Sequence, residues 1–178
     1  MRYYLTMNNQ ERNRSAVSMA AAERAHNRAT GGAGLGDIAL YILMRTCNEM
    51  MGVRLGALLA PHELTSVGYI TMMALYSREE NLANPSELSE ATGETRGNMT
   101  RICDELVDKG WMKRVPNAED RRRVDLSLTD SGMSLLNSVA PQLRQNADDF
   151  YKRAFSKTEK ATLQQLLTQF SEALADEL

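Results

Sequence analysis

Apolar residues recur with a helical period along most of this chain, and the period changes in one short stretch. From Asp37 to Ala60 the apolar positions Ile38, Tyr41, Ile42, Met44, Val53, Leu55, Leu58 and Leu59 spread around a helix, which predicts burial on more than one side. Asp37 is placed to cap this helix and Pro61 to end it. A second helix is predicted from Thr65 or Ser66 to about Tyr76, with Ile70, Met73 and Ala74 on one side, followed by a solvated turn at 78–81. Asn84-Pro85-Ser86-Glu87 then supplies an N-cap, a proline at the first helical position and a glutamate that reaches back to the cap, opening a short helix that stops at Gly93. On the third helix, capped by Thr95 and ended by Gly110, Met99, Ile102, Cys103, Leu106 and Val107 make a single apolar face. Gly97, Arg101 and Asp108 lie roughly opposite Met99, so an arginine points outward.

After Gly110 the period becomes two. Met112 to Val115 and Val124 to Leu128 read as strands, joined by the turn chemistry of Pro116-Asn117-Ala118-Glu119-Asp120 and by Arg121, Arg122 and Arg123. Thr129 or Asp130 caps a long helix with Leu136, Val139, Ala140, Leu143, Ala147, Phe150, Tyr151 and Ala154 on its stripe and Pro141 as an expected kink. Ser156 and Glu159 form a capping box for a last helix bearing Leu163, Leu166, Leu167, Phe170 and Leu174. Terminal helices this apolar need a partner, and a second copy of the chain about a twofold axis is the expected one. The N-terminal side reads differently. Residues 1–36 form an extension whose stretch 9–29 suits a weakly docked helix, and glycines at 31, 32, 34 and 36 predict a joint before residue 37.

Charge sharpens this picture. The chain of 178 residues has a net charge of -2, which alone argues against nucleic acid. The charge is segregated, however: residues 109–123 hold six basic and two acidic residues, whereas 37–108 hold five and eleven. A basic element inside an acidic protein is suited to touch phosphate without binding every polyanion. Two cysteines and two histidines, far apart in the chain, give no metal spacing, and no nucleophile–base pattern or phosphate loop is present, so neither an enzyme nor a cofactor is expected. The lack of a long apolar run or a leader sequence predicts a cytoplasmic protein with no membrane partner.

Two short helices around a glycine turn, followed by a basic hairpin, are the order of a winged helix-turn-helix. Asn98 and Arg101 on its second helix are placed for base edges in a major groove, and the hairpin arginines for an adjacent minor groove. The same region resembles the MarR family of regulators. The resemblance is carried by Pro85-Ser86-Glu87-Leu88, by the run from Thr100-Arg101-Ile102 through Leu106 to Lys109-Gly110-Trp111, and by Asp120-Arg121-Arg122 with Leu128-Thr129 at the usual distance. It covers roughly Asp37 to the C-terminus, and Gly110-Trp111 with Pro141-Gln142 look similar to the branch that controls multidrug efflux.

The resemblance implies a mainly α fold with a small β-hairpin wing: a winged helix over 65–129, with dimerisation helices over 37–60 and 130–178. It implies a homodimer that represses transcription at a pseudo-palindromic operator in double-stranded DNA and is released by a small aromatic acid or phenol. The candidate DNA-contacting residues are Thr95, Arg96, Gly97, Asn98, Thr100, Arg101, Arg121 and Arg122, with Asp120 supporting the wing arginine. Candidate ligand residues are Tyr41, Met44, Arg45, Tyr69, Met72 and Met73, where Arg45 would meet a ligand carboxylate or else bridge to Glu49. Arg101 has its own local alternatives in Asp104 and Glu105. Cys47 and Cys103 read as small core residues rather than redox sensors, which need an exposed thiolate beside a base. The competing reading is a winged-helix protein-interaction module without DNA binding, for which aromatic anchors would suit the wing better than three arginines.

Overall fold

The computed structural model describes residues 9–78, 80–117 and 124–177, with the side chains of 9–19 left aside, and the chain divides into two units, Met1–Ala57 and Leu58–Leu178. The first holds helix α1 (Asn9–Thr30) and most of helix α2 (Ile38–Leu59). The glycines between them earn their place by backbone angle: Gly31, Gly32, Gly34 and Gly36 all have positive φ, while a Cβ at any of them would meet nothing within 4 Å. Asn27 closes the turn. Its carbonyl accepts from the Gly32 N–H at 2.9 Å and its side-chain oxygen from the Gly34 N–H at 2.9 Å.

In the second unit Leu59, the last residue of α2, is fully buried, and a single turn containing Pro61 ends at Glu63 in the left-handed region. Helix α3 (Ser66–Tyr76) is capped by Thr65, whose hydroxyl accepts from the Gly68 N–H at 3.0 Å. The buried side of α3 corrects the sequence expectation. Gly68, Thr71, Met72 and Leu75 face inward, Met73 and Ala74 are half-buried, and Ile70 is 44% exposed. Gly68 is confined by its own cap: a Cβ there would lie 2.9 Å from the Thr65 hydroxyl and 3.3 Å from the Leu64 side chain, so the inward side combines a glycine and a threonine with the large Met72 and Leu75. The Thr71 hydroxyl, fully buried, meets the Met99 sulfur at 3.9 Å.

Strand β1 (Leu82–Ala83) precedes helix α4 (Pro85–Thr92), which opens with the predicted capping box of Asn84 and Glu87 and ends at Gly93 in the left-handed region. Helix α5 (Arg96–Asp108) follows from the Thr95 cap. Strands β2 (Met112–Pro116) and β3 (Val124–Leu128) pair antiparallel from Met112↔Leu128 to Pro116↔Val124. The expected hairpin is larger than two strands: β1 joins its β3 edge, Leu82 opposite Ser127 and Ala83 opposite Leu126, giving the order β1-β3-β2.

Helix α6 (Asp130–Ala154) is capped by Thr129, contains Pro141, and buries Gly132, Leu136 and Val139 but no residue after Val139. Its first turn sits on the chain at Gly110 and Trp111. The Thr129 and Ser131 hydroxyls both donate to the Gly110 carbonyl, at 2.6 and 2.7 Å, and the Thr129 N–H donates to the Trp111 carbonyl at 3.0 Å. Helix α7 (Lys157–Ala175) starts at the predicted Ser156–Glu159 box and buries nothing, leaving Leu166, Leu167, Phe170 and Leu174 exposed. The core of the second unit is therefore built by α3, α4, α5, the sheet and the first half of α6, from side chains such as Met72, Leu88, Met99, Ile102, Leu106, Met112, Leu126 and Leu136.

Candidate nucleic-acid interface

Helix α5 is divided lengthwise. Met99, Ile102, Cys103 and Leu106 are buried, while Thr95, Arg96, Gly97, Thr100 and Arg101 are exposed and Asn98 is half-buried. Thr95 holds the first turn by accepting from the Asn98 N–H at 3.3 Å, and the Thr100 hydroxyl donates back to the Arg96 carbonyl at 3.0 Å. A Cβ on Gly97 would meet nothing within 4 Å, so the backbone is open to close approach at this point.

The polar side chains of α5 are already engaged with one another. Asn98 Nδ2 donates to a Glu94 carboxylate oxygen at 2.6 Å, and Asn98 Oδ1 accepts from Arg101 Nη2 at 3.0 Å. Arg101 Nη1 stands 3.9 Å from Glu105, whose other oxygen is 3.1 Å from Lys109 Nζ. Of the two local partners weighed for Arg101, Glu105 is the one found; Asp104 pairs instead with Arg114 of β2, tying the wing strand to α5. Lys109 also donates to the Glu63 carbonyl at 2.6 Å and lies 5.0 Å over the Trp111 ring, which fixes the end of α5 against the turn after α2. Glu94 and Glu63 were missed from sequence. The i,i+4 spacing of Glu94 and Asn98 was a signal for the first, but nothing local pointed to the second.

At the wing, Asn117 Nδ2 donates to Asp125 at 2.7 Å just beyond the last strand pair. Asp120, Arg121, Arg122 and Arg123 lie outside the described residues. The candidate ligand residues fall in both units: Tyr41, Met44 and Arg45 on α2, and Tyr69, Met72 and Met73 on α3. Arg45 Nε is 3.1 Å from Glu49, the local bridge weighed for it. Met72 is enclosed in the core of the second unit, and burial raises the Tyr69 phenol above its ordinary range. The cysteines part company. Cys103 is buried as expected, its thiol pushed up to about 11 by burial and by the Asp104 charge, with Arg114 acting the other way. Cys47 is exposed rather than a core residue, because α2 is apolar on several sides and its pattern did not single out an inward face. Among the described residues no group of acids, histidines and cysteines is arranged to hold a metal ion, and no helix is long and apolar enough to cross a membrane.

Comparison with known proteins bears directly on this geometry. The MarR family model matches residues 59–124, from the end of α2 to the start of β3. The transcriptional repressor MprA of Escherichia coli K12 is 34% identical over 128 residues, covering 70% of this chain and 72% of its own. The multiple antibiotic resistance protein MarR of the same strain is 28% identical over 130 residues, covering 73% and 89%. Among solved structures, a mutant of E. coli MarR complexed with operator DNA superimposes with a TM-score of 0.69 at 26% identity, covering 76% of this chain and 96% of that one. The relatives are transcriptional regulators rather than enzymes, and they favour DNA binding over a protein-only winged helix. The helical fold with its small antiparallel sheet, the divided α5 and these relatives agree: the chain belongs to the MarR family of winged-helix, DNA-binding transcriptional regulators.

Proposed function

We propose that this protein represses transcription as a twofold homodimer that reads a pseudo-palindromic duplex with α5 and the hairpin, and that a small aromatic acid or phenol releases it. The observation that carries the reading is the division of α5, in which buried Met99, Ile102, Cys103 and Leu106 hold the helix while Thr95, Arg96, Gly97, Thr100 and Arg101 are exposed. A helix so held is the right width for a major groove. The sequence of the hairpin tip, with Arg121 and Arg122 beside Asp120, suits a minor groove. Support for a second copy comes from apolar side chains left exposed on two helices, Ile38, Leu40, Tyr41 and Leu43 on α2 and Leu166, Leu167, Phe170 and Leu174 on α7. The effector class rests on the sequence, where an arginine and tyrosines among methionines suit an aromatic anion.

The test is a duplex selected by the wild-type protein from a random pool, compared with a scrambled duplex of the same composition. Arg101→Ala is expected to lose about 1–3 kcal/mol of discrimination per base contact removed. A preference ratio left intact by that substitution would remove Arg101 from the reading residues. Titration of aromatic carboxylates and phenols with and without the duplex checks release, since a coupled effector must bind less tightly when DNA is present.

A further inference from the structure

We propose that Glu94 is a specificity-determining residue: together with Glu105 it holds Asn98 and Arg101 in a linear chain of hydrogen bonds and ion pairs that base edges can replace and phosphates cannot. The proposal rests on the reading of α5 as the DNA-contacting helix.

The chain runs Glu94, Asn98, Arg101, Glu105, Lys109 along one flank of α5, with contacts of 2.6, 3.0, 3.9 and 3.1 Å. Its polarity is fixed by chemistry. A carboxylate only accepts and a guanidinium only donates, so the Asn98 amide, set between them, has one possible orientation. Each end of the amide therefore has a partner in the free protein, one Nδ2 hydrogen held by Glu94 and one Oδ1 lone pair by Arg101. Those same two ends are what an asparagine offers to the major-groove edge of adenine.

An exchange with DNA is then unequal. A phosphate supplies acceptors alone. If it draws Arg101 away, Asn98 Oδ1 loses its donor and Glu105 one of its two cationic neighbours, and the phosphate returns nothing to either. A base pair presenting a donor and an acceptor can satisfy both ends of Asn98 while a neighbouring guanine takes Arg101. Glu94 adds a second effect. It stands immediately before the Thr95 cap, where the free N–H groups of a helix start attract anions, and its charge opposes that attraction. Both effects bear on the sequence-independent part of binding, which phosphate contacts dominate.

The experiment uses the full chain as wild type, Glu94→Gln, Glu94→Ala, and Glu172→Gln on α7 as a control with the same change of net charge. Affinities for the selected and scrambled duplexes are measured over a range of salt. Neutralising Glu94 is expected to strengthen binding to the scrambled duplex by about two- to fivefold more than to the selected one, and to steepen its salt dependence by about one unit as Arg101 gains a phosphate. Adding Arg101→Ala is expected to cancel the steeper salt dependence and the part of the gain that Arg101 carries, leaving only the smaller effect of the Glu94 charge on the helix start. Equal strengthening on both duplexes, matching Glu172→Gln, would reduce Glu94 to a contribution to net charge and overturn the proposal. So would a gain and a steeper salt dependence that both survive Arg101→Ala undiminished. A wild-type protein that selects no duplex at all overturns the reading of α5 itself, a result distinct from either.

Discussion

Gly132 is where a single methyl group is expected to do the most damage. It lies in the first turn of α6, and a Cβ built there would stand 2.1 Å from the Trp111 carbonyl oxygen and 3.0 Å from its carbon. Helix propensity alone favours alanine over glycine by about 1 kcal/mol. Relief of the overlap, however, requires the start of α6 to withdraw by about 1 Å, since non-bonded carbon and oxygen need roughly the separation of ordinary van der Waals contact. That movement strains three hydrogen bonds, from Thr129 and Ser131 to the Gly110 carbonyl and from the Thr129 N–H to the Trp111 carbonyl. Overpacking costs about 1–3 kcal/mol, and each weakened bond up to about 1 kcal/mol. Taking about 2 kcal/mol for the overpacking and about 0.5–1 kcal/mol for each of the three bonds, and subtracting the propensity gain, Gly132→Ala is expected to destabilise the fold by about 2.5–4 kcal/mol. Urea denaturation followed by circular dichroism measures it, and Trp111, the only tryptophan in the chain, reports on the same place by fluorescence. Gly97→Ala, at an open helical position, is the control and should stabilise by up to about 1 kcal/mol. A Gly132→Ala protein as stable as wild type would show that α6 and Trp111 do not approach as described, and the argument for this junction would fail.

Asn84→Ala removes the capping box of α4 and is expected to cost about 0.5–2 kcal/mol in the same denaturation assay. Because burial raises the Cys103 thiol to about 11, the unfolded chain ionises there first; stability from this group is present below the ordinary thiol range and lost as pH rises towards 11, which denaturation at stepped alkaline pH would reveal. Iodoacetamide at neutral pH should label exposed Cys47 and spare Cys103 until urea is added, as mass spectrometry would show. Arg122→Ala should weaken binding to every duplex and lower the salt slope by about one unit, and an unchanged slope would leave the wing arginine without a phosphate role.

What the sequence revealed was mostly local. The Asn84 and Ser156 boxes, the stops at Gly93 and Gly110, and the apolar face of α5 each depend on residues within one or two turns, and all stand where the spacing put them. Strand β1 was invisible because two residues, Leu82 and Ala83, have no period, and their pairing partner lies far along the chain. The inward side of α3 departs from the apolar pattern because Gly68 and Thr71, neither strongly apolar, are buried beside Met72 and Leu75, so hydrophobicity alone does not mark it. At the candidate interface the residues were legible but their mutual engagement was not, since whether Asn98 meets Glu94 or solvent is decided by rotamers rather than by spacing.

Pro141 divides α6 into parts of unequal mechanical character. A proline has no N–H to offer the carbonyl of Asn137, so one rung of the ladder is missing there, just beyond Val139, the last buried residue of the helix. On one side the helix is clamped to the winged body by Leu136, Val139 and the Gly110 junction, and on the other no side chain of α6 is buried. Bending stiffness is lowest where the rung is absent. A load applied through the C-terminal half of α6 is therefore expected to bend the helix first at Pro141, ahead of the turns held by Leu136 and Val139.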